Sequence, residues 1–214
     1  MAGFLEGVDC AKTVLAKLNR EFKRPLSLLM VNAGELECLL KWEPWLRRVA
    51  IFAQDYKIYY HLVAKATGQD FFTRFNFKLR VLTWDKINSY QQLAWPYDVI
   101  NVRLDPLSVN QGLNNTQAWR KLLSTQIGVS SSFLLMIQGQ TELVNEAQSY
   151  LNQIKDETGN GLVITPTHCI TFLSQNIPSA FHILSVSNNP IRQRINREEP
   201  KVITDLMLWG EVIE

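Results

Sequence analysis

The feature that most constrains the fold of this chain is a regular alternation of helical and strand-like segments. In the stretch "VDCAKTVLAKLNREFK", apolar residues from Val8 to Phe22 recur every three or four positions, which is the spacing of one helical face. Short continuous apolar runs such as "LSLLMV" lie between the helices and are typical of strands buried on both faces of a sheet. The pattern predicts an α/β fold, with a mostly parallel sheet and helices on both of its faces.

The alternation breaks after Gly159. Three strand-like pieces follow, "GLVIT", "HCITFLS" and "AFHILSVS", and the chain between them is too short for crossover helices. At least two of these strands must therefore pair antiparallel. We expect a C-terminal antiparallel hairpin, with "AFHILSVS" inserted near one edge of the sheet and the first and fourth strands adjacent at its centre.

Length and composition indicate one globular domain. The chain has 214 residues, of which 46% are hydrophobic and 20% charged, and no linker or low-complexity tract divides it. We therefore predict a single domain over residues 1–214. The longest apolar runs fall far short of the roughly 20 residues that a membrane-spanning helix needs, and no targeting signal is recognisable. The sequence predicts no membrane partner and a cytoplasmic location, and it leaves the oligomeric state open.

The cysteine and histidine positions do not indicate a metal site. The three cysteines are widely separated, and the sequence contains no C-x-x-C pair. Cys169 directly follows His168, but no further ligand lies at a suitable spacing. We therefore predict unpaired thiols and no bound metal.

Basic residues are concentrated in two segments, although the net charge is only +2. The segment "IRQRINREEPK" contains Arg192, Arg194 and Arg197, and a second cluster that includes Arg24 precedes the first strand. Either cluster can bind the phosphates of RNA in a salt-dependent manner, and the alternative for each is an ordinary solvated face. The aromatic run "FFTRFNFK" is suited either to base stacking or to the core.

Short strings at the strand ends carry a resemblance to a known family. "CAKTVLAKLN" places Lys12 on the helix before the first strand, "LLMVNAGE" follows that strand, and "VLTWDK" places Asp85 after the third. In order and spacing these resemble the FtsJ-type ribose 2'-O-methyltransferases, in particular those in the replicase polyproteins of positive-strand RNA viruses. The resemblance implies a class I methyltransferase-like, Rossmann-like fold and S-adenosylmethionine as the cofactor. The cofactor-binding residues that it implies are Asn32, Gly34, Asp55 and Asp85.

The catalytic positions of that family are mostly changed in this sequence. The family deprotonates a ribose hydroxyl with a Lys-Asp-Lys-Glu tetrad, and here only Lys12 matches. Arg103 stands nearest the aspartate position, with Asp105 two residues later. Ile137 or Gln138 stands at the second lysine position, and Ser179 stands near the glutamate position. A neutral amide cannot accept the ribose proton, so the resemblance implies a decayed tetrad.

Three hypotheses follow for the function. The first is a methyltransferase-like domain of a viral RNA replication complex that binds RNA or docks other replicase proteins without transferring methyl groups. The second is an active S-adenosylmethionine-dependent RNA (cap) 2'-O-methyltransferase in which Lys12, Asp105 and Glu142 take part. The third is a cellular Rossmann-like binding domain that shares only the topology.

Overall fold

A computed structural model gives the structure of the protein and describes residues 2–32, 36–53, 55–81, 95–106, 116–130, 132–157, 162–174, 176–187 and 201–202. The helices are α1 (Ala2–Phe22), α2 (Glu37–Trp42), α3 (Tyr56–Gly68), α4 (Phe71–Arg74), α5 (Thr116–Val129) and α6 (Thr141–Glu157), with a short 3₁₀ turn at Glu43–Trp45. The strands are β1 (Leu26–Val31), β2 (Leu46–Ala53), β3 (Asn76–Val81), β4 (Val99–Leu104), β5 (Ser132–Gln140), β6 (Val163–Ser174), β7 (Ile177–Ser187) and β8 (Lys201–Val202).

The described strands form one sheet in the order β3-β2-β1-β4-β5-β7-β6-β8. The first five strands are parallel, and β7 pairs antiparallel with both β5 and β6. This order confirms the predicted mostly parallel sheet, with β1 and β4 adjacent and an antiparallel hairpin after the last crossover helix. The hairpin belongs to the same sheet as the parallel strands.

The hairpin differs from the prediction in one respect. "GLVIT" and "HCITFLS", predicted as separate strands, belong to a single strand, β6, whose register with β7 shifts between Pro166 and His168. Proline has no backbone N–H to donate to a neighbouring strand, and a β-bulge accommodates it. At the turn between β6 and β7, Asn176 takes the left-handed conformation (φ 64°), which asparagine tolerates well.

Apolar residues fill both faces of the sheet. On one face, β4 and β5 pack against α5 and α6, around the fully buried Trp119. On the other, β1 and β2 pack against α1, α2 and α3, around the nearly inaccessible Trp42. These four strands are mostly apolar on both sides because helices cover both faces, as the continuous apolar runs predicted.

Helix α1 shows the predicted amphipathic pattern in the part whose side chains are described. Ala11 and Leu15 are fully buried, whereas Lys12 is exposed between them. The helix ends at Phe22, followed by Lys23 in the left-handed conformation (φ 52°) and then by Pro25. Proline has no N–H with which to continue a helix, so the chain turns there into β1.

Candidate functional site

The strand order places a crevice between the carboxyl ends of β1 and β4. The chain winds outward from β1 to β3 on one side and from β4 to β5 on the other, so the direction of winding reverses between these two neighbours. In open α/β sheets, ligands bind at such a reversal, outside the carboxyl ends of the strands. We call this place the switch-point crevice and define it by Asn32, Asn101, Arg103, Asp105 and Gln138.

Asn32 spans the switch-point crevice. It follows β1 directly and has a left-handed backbone (φ 60°), and its N–H donates to the carbonyl of Phe52 at 3.0 Å. Its side-chain Nδ2 donates to the carbonyl of Arg103 at 3.0 Å and to Oδ2 of Asp105 at 3.1 Å. The buried amide therefore joins the end of β1 to the end of β4.

Asp105 lies where the sequence placed it, directly after β4 and before Pro106. Its side chain is half-buried and accepts the hydrogen bond from Asn32. A carboxylate held at a strand end beside the switch point is well placed to meet a ligand. The structure thus brings together Asn32 and Asp105, two residues that the sequence analysis had assigned to different roles.

A pair of hydrogen-bonded amides, Asn101 and Gln138, lies on β4 and β5. Gln138 of β5 is buried, and its Nε2 donates to Oδ1 of the buried Asn101 of β4 at 3.3 Å. Arg103 is half-buried and aligns with Gln138 across the two strands. Residues two apart on a strand share a face, so Asn101, Arg103 and Asp105 follow one another along the same side of the chain. Two neutral amides, one cation and one carboxylate therefore line this side.

The remaining tetrad positions lie apart from these contacts. Lys12 is exposed on α1 and forms no ion pair with a carboxylate in the described part of the chain. Ser179 is buried on β7, aligned with Gln140, and its Oγ donates to the carbonyl of Ile177 at 3.1 Å. Glu142 is exposed in the first turn of α6. A catalytic role for these residues stays a prediction.

The structure describes two of the four predicted cofactor-binding residues, Asn32 and Asp55. Asp55 follows β2 and caps helix α3, because its Oδ1 accepts a hydrogen bond from the N–H of Ile58 at 2.8 Å. Gly34 and Asp85 lie outside the described residues, as do Arg192, Arg194 and Arg197 of the predicted RNA-binding segment.

Sequence reasoning missed the roles of two polar residues, one on β4 and one directly before it. Asn101 interrupts the apolar run "DVINVRL", and such an interruption is the signal by which it could have been found. Asp98, at the other end of the strand, is buried and accepts hydrogen bonds from Arg24 and from Ser27. The guanidinium of Arg24 is therefore bound to a carboxylate, although its cluster had been considered as a phosphate site.

A polar chain links the half-buried Cys169 of β6 and Gln148 of α6 through the buried His182 of β7. Nε2 of His182 lies 2.8 Å from Sγ of Cys169, and its Nδ1 lies 2.8 Å from Oε1 of Gln148. Because an amide oxygen only accepts, Nδ1 carries the proton and Nε2 accepts from the thiol. Burial raises the pKa of the Cys169 thiol and lowers that of His182, so both groups are held neutral. This arrangement is typical of a structural thiol rather than a reactive one.

Neither a metal site nor a membrane span emerges from the described residues. Within them, no three His, Cys, Asp or Glu side chains are grouped so as to hold a metal ion. Over the same residues, no helix has the length and apolar character needed to cross a bilayer.

Comparison with known proteins gives structural likeness but no sequence match. No family model and no curated protein matches the chain. The N-methyltransferase NodS from Bradyrhizobium japonicum WM9 aligns with a TM-score of 0.55 and 12% identity, over 86% of this chain and 98% of NodS. The magnesium protoporphyrin IX methyltransferase ChlM from Synechocystis PCC 6803, solved with S-adenosylmethionine bound, gives 0.55 and 14%, over 88% and 81%.

A third similar structure is WbdD, solved with the kinase inhibitor LY294002. It aligns with a TM-score of 0.57 and 14% identity over 85% of this chain, which spans only 40% of the WbdD chain. Identities this low show the fold alone. They confirm the predicted methyltransferase-like, Rossmann-like architecture, and one of these similar structures was solved with S-adenosylmethionine bound.

Proposed function

We propose that the chain is a methyltransferase-like domain of a viral RNA replication complex that has lost methyl transfer and is retained to bind RNA or to dock other replicase proteins. The order and spacing of its strand-end residues, which resemble the viral FtsJ-type enzymes, support the viral setting. A replicase domain of this kind works in the host cytoplasm.

The observation that carries the loss of methyl transfer is the bridge made by Asn32. A Rossmann-like fold binds its cofactor where backbone after the first strand comes close to the ligand, which glycine permits because it has no side chain. Here the amide of Asn32 extends from β1 to the carbonyl of Arg103 and the carboxylate of Asp105. A side chain that bridges the two strand ends, where this fold binds its cofactor, supports a site that does not admit S-adenosylmethionine.

The neutral amides of β4 and β5 support the same conclusion. Gln138 and Asn101 are buried and hydrogen-bonded to each other, and neither can take a proton from a ribose hydroxyl. General-base assistance is typically worth ~10²- to 10⁴-fold in rate, so its loss alone brings methyl transfer close to background. Arg103 adds positive charge where the related enzymes carry an acid.

One observation favours the second candidate, an active RNA 2'-O-methyltransferase. Asn32 holds the carboxylate of Asp105 at the carboxyl end of β4, beside the switch point. In this alternative, Asp105 takes over the role of the missing acid, with Lys12 as the base. Glu142 in the first turn of α6 is the third residue that it requires.

A radiolabelled methyl-transfer assay separates the two candidates. The unmodified chain is incubated with labelled S-adenosylmethionine and with capped or uncapped RNA, over a range of pH and divalent metal concentrations. We expect no transfer above background. Transfer that is abolished by Lys12→Ala and by Asp105→Asn, and retained in Lys17→Ala, would replace the first candidate with the second. Lys17 is a suitable control because it is another exposed lysine of α1.

A further inference from the structure

A basic and aromatic surface lies at the β3 edge of the described sheet, two strands away from the switch-point crevice. We call it the edge surface and define it by Arg48, Lys78, Arg80 and Trp95. Arg48 belongs to β2, Lys78 and Arg80 belong to β3, and Trp95 immediately precedes the segment that leads into β4.

The strand register puts the three cations on one face. Ala50 aligns with Lys78 and Phe52 with Arg80, so these residues and Arg48 point to the same side of the sheet. Ala50 and Phe52 are buried in the core of that side, whereas Lys78 and Arg80 are exposed. The edge surface therefore adjoins the buried part of the same face, at the exposed strand β3.

Trp95 is held by two of these cations. The guanidinium carbon of Arg48 lies 4.3 Å from the centroid of the Trp95 ring, and Nζ of Lys78 lies 4.8 Å from it. Both distances are within the range of cation–π attraction. The ring nevertheless keeps 42% of its surface exposed. A large aromatic side chain is thus fixed in orientation at the surface without being buried.

The cations of the edge surface, Arg48, Lys78 and Arg80, have no carboxylate partner among the described residues. By contrast, Lys65 is paired with Glu37 at 2.7 Å and Arg74 with Glu43 at 2.9 Å. Two cations that contact the Trp95 ring, with Arg80 on the same face of β3, make this surface suited to an anionic partner.

Two roles are compatible with cations on an edge strand. In the first role, lysine and arginine prevent exposed strand edges of two molecules from pairing, and charge alone is enough for this. An exposed tryptophan adds nothing to that role, because it lowers solubility. Single-stranded nucleic acid requires both elements, since cations bind its phosphates and aromatic rings stack on its bases.

We propose that the edge surface binds single-stranded RNA, with one base stacked on Trp95 and the neighbouring phosphates bound by Lys78 and Arg80. The inference rests on the RNA-binding role proposed above and assigns it to residues separate from the switch-point crevice. It is also independent of the predicted arginine segment that follows β7.

Fluorescence anisotropy with a labelled single-stranded RNA of ~12 nucleotides tests the stacking contact. Trp95→Leu is expected to weaken binding about tenfold, within the range of one base–aromatic stack. Trp95→Tyr keeps an aromatic face and is expected to bind within about threefold of the unmodified chain. Phe72→Leu is the matched control, because Phe72 is also an exposed ring, at 49%, and is expected to change nothing.

The salt dependence of the same binding tests the phosphate contacts. The double variant Lys78→Ala with Arg80→Ala is expected to reduce the slope of log K against log[salt] by about 1.4, since each contact to a single strand contributes about 0.7. Lys57→Ala with Lys121→Ala removes the same charge from exposed positions on α3 and α5 and is expected to leave most of the slope intact.

The outcomes separate the edge surface from the proposed function. RNA binding that is unchanged in Trp95→Leu and in the Lys78, Arg80 double variant would overturn the edge surface and leave the RNA-binding role standing. Equal weakening by Phe72→Leu, or tighter binding of a duplex of the same length, would also overturn it. A chain that binds no RNA at low salt would refute both. Thermal unfolding of each variant checks that the fold is intact, and Trp95→Tyr keeps the test valid if Trp95→Leu is unstable.

Discussion

Two aspartates flank β4, and they differ in burial and in the groups that donate hydrogen bonds to them. Asp98, at the amino end, is buried and accepts hydrogen bonds from both terminal nitrogens of Arg24, at 2.8 and 2.7 Å, and from the N–H and Oγ of Ser27, at 2.8 and 2.9 Å. Asp105, at the carboxyl end, is half-buried and accepts a hydrogen bond from the amide of Asn32 at 3.1 Å.

This difference identifies Asp98 as the structural carboxylate. The bonds to Asp98 join the start of β4 to the start of β1, and the hydrogen bond to Asp98 raises the pKa of Arg24 above its usual value. Four donors leave that carboxylate little capacity for a ligand. Asp105 lies at the carboxyl edge, where such folds bind ligands. The sequence of β4 does not show which aspartate is structural, whereas the residues that contact each carboxylate do.

The largest expected effect is on Asp98. Asp98→Ala leaves the N–H of Ser27 and the guanidinium of Arg24 without their partner, and we expect the free energy of unfolding to fall by about 3 kcal/mol. Arg24→Ala is the control, expected to cost about 1 kcal/mol because that side chain is 54% exposed and Ser27 still binds the carboxylate. Urea unfolding measures both. A cost for Asp98→Ala no larger than for Asp105→Ala would remove the distinction between the two aspartates.

The second expected effect is at Gly139 of β5, whose backbone lies close to that of β4 just before Asp105. A Cβ added at Gly139 would lie 2.4 Å from the carbonyl oxygen of Leu104, the residue before Asp105. Gly139→Ala must therefore push β4 and β5 apart at their carboxyl ends, at a cost of about 1–3 kcal/mol. Gly68→Ala is the matched control, since nothing lies within 4 Å of the Cβ that it adds. Equal stability of the two variants in urea would show that the strand ends are less constrained than the structure indicates.

A third test concerns the buried His182. Burial lowers the pKa of His182 below the usual value for histidine, so the unfolded chain binds a proton more readily than the folded one. The contribution of His182 to the free energy of unfolding is therefore complete above pH ~6.5 and is lost progressively as the pH falls below that value. Urea unfolding at a series of pH values should show a smaller loss of stability toward low pH in His182→Gln than in the unmodified chain. The exposed His61 is the control, and an equal reduction of that loss by His61→Gln would contradict the account.

The smallest expected effect is on Asp105 itself. Asp105→Asn keeps an oxygen that can accept the hydrogen bond from Asn32, and the residue is only half-buried. We expect the free energy of unfolding to change by less than about 1 kcal/mol, compared with about 3 kcal/mol at Asp98. Thermal and urea unfolding measure this. A loss as large as that of Asp98→Ala would mean that Asp105 is structural and not available to a ligand.

The sequence predicted the fold well because the main determinants of the fold are local. Apolar runs and helical spacing identified the parallel strands and the crossover helices, and the short connections after Gly159 required antiparallel pairing. The single strand β6 was predicted as two strands, "GLVIT" and "HCITFLS", whereas a bulge accommodates the intervening Pro166 within one strand.

The site was less predictable because its contacts join residues distant in sequence. The bond between Asn32 and Asp105 depends on the adjacency of β1 and β4, and the bond between Gln138 and Asn101 depends on the register of β4 and β5. The left-handed backbone of Asn32 directs its side chain across the switch-point crevice, and no periodicity encodes that direction. The aromatic run "FFTRFNFK" shows the same limit, since Phe71 and Phe75 enter the core while Lys78 contacts the distant Trp95.

Calorimetric titration of S-adenosylmethionine into the unmodified chain tests the central claim most directly. If the amide of Asn32 occupies the cofactor's place between β1 and β4, titration gives no binding heat at millimolar cofactor, and the melting temperature does not rise. Saturable binding with a dissociation constant in the micromolar range, roughly −8 kcal/mol, would contradict the account. It would do so most clearly if Asn32→Gly bound no more tightly than the unmodified chain.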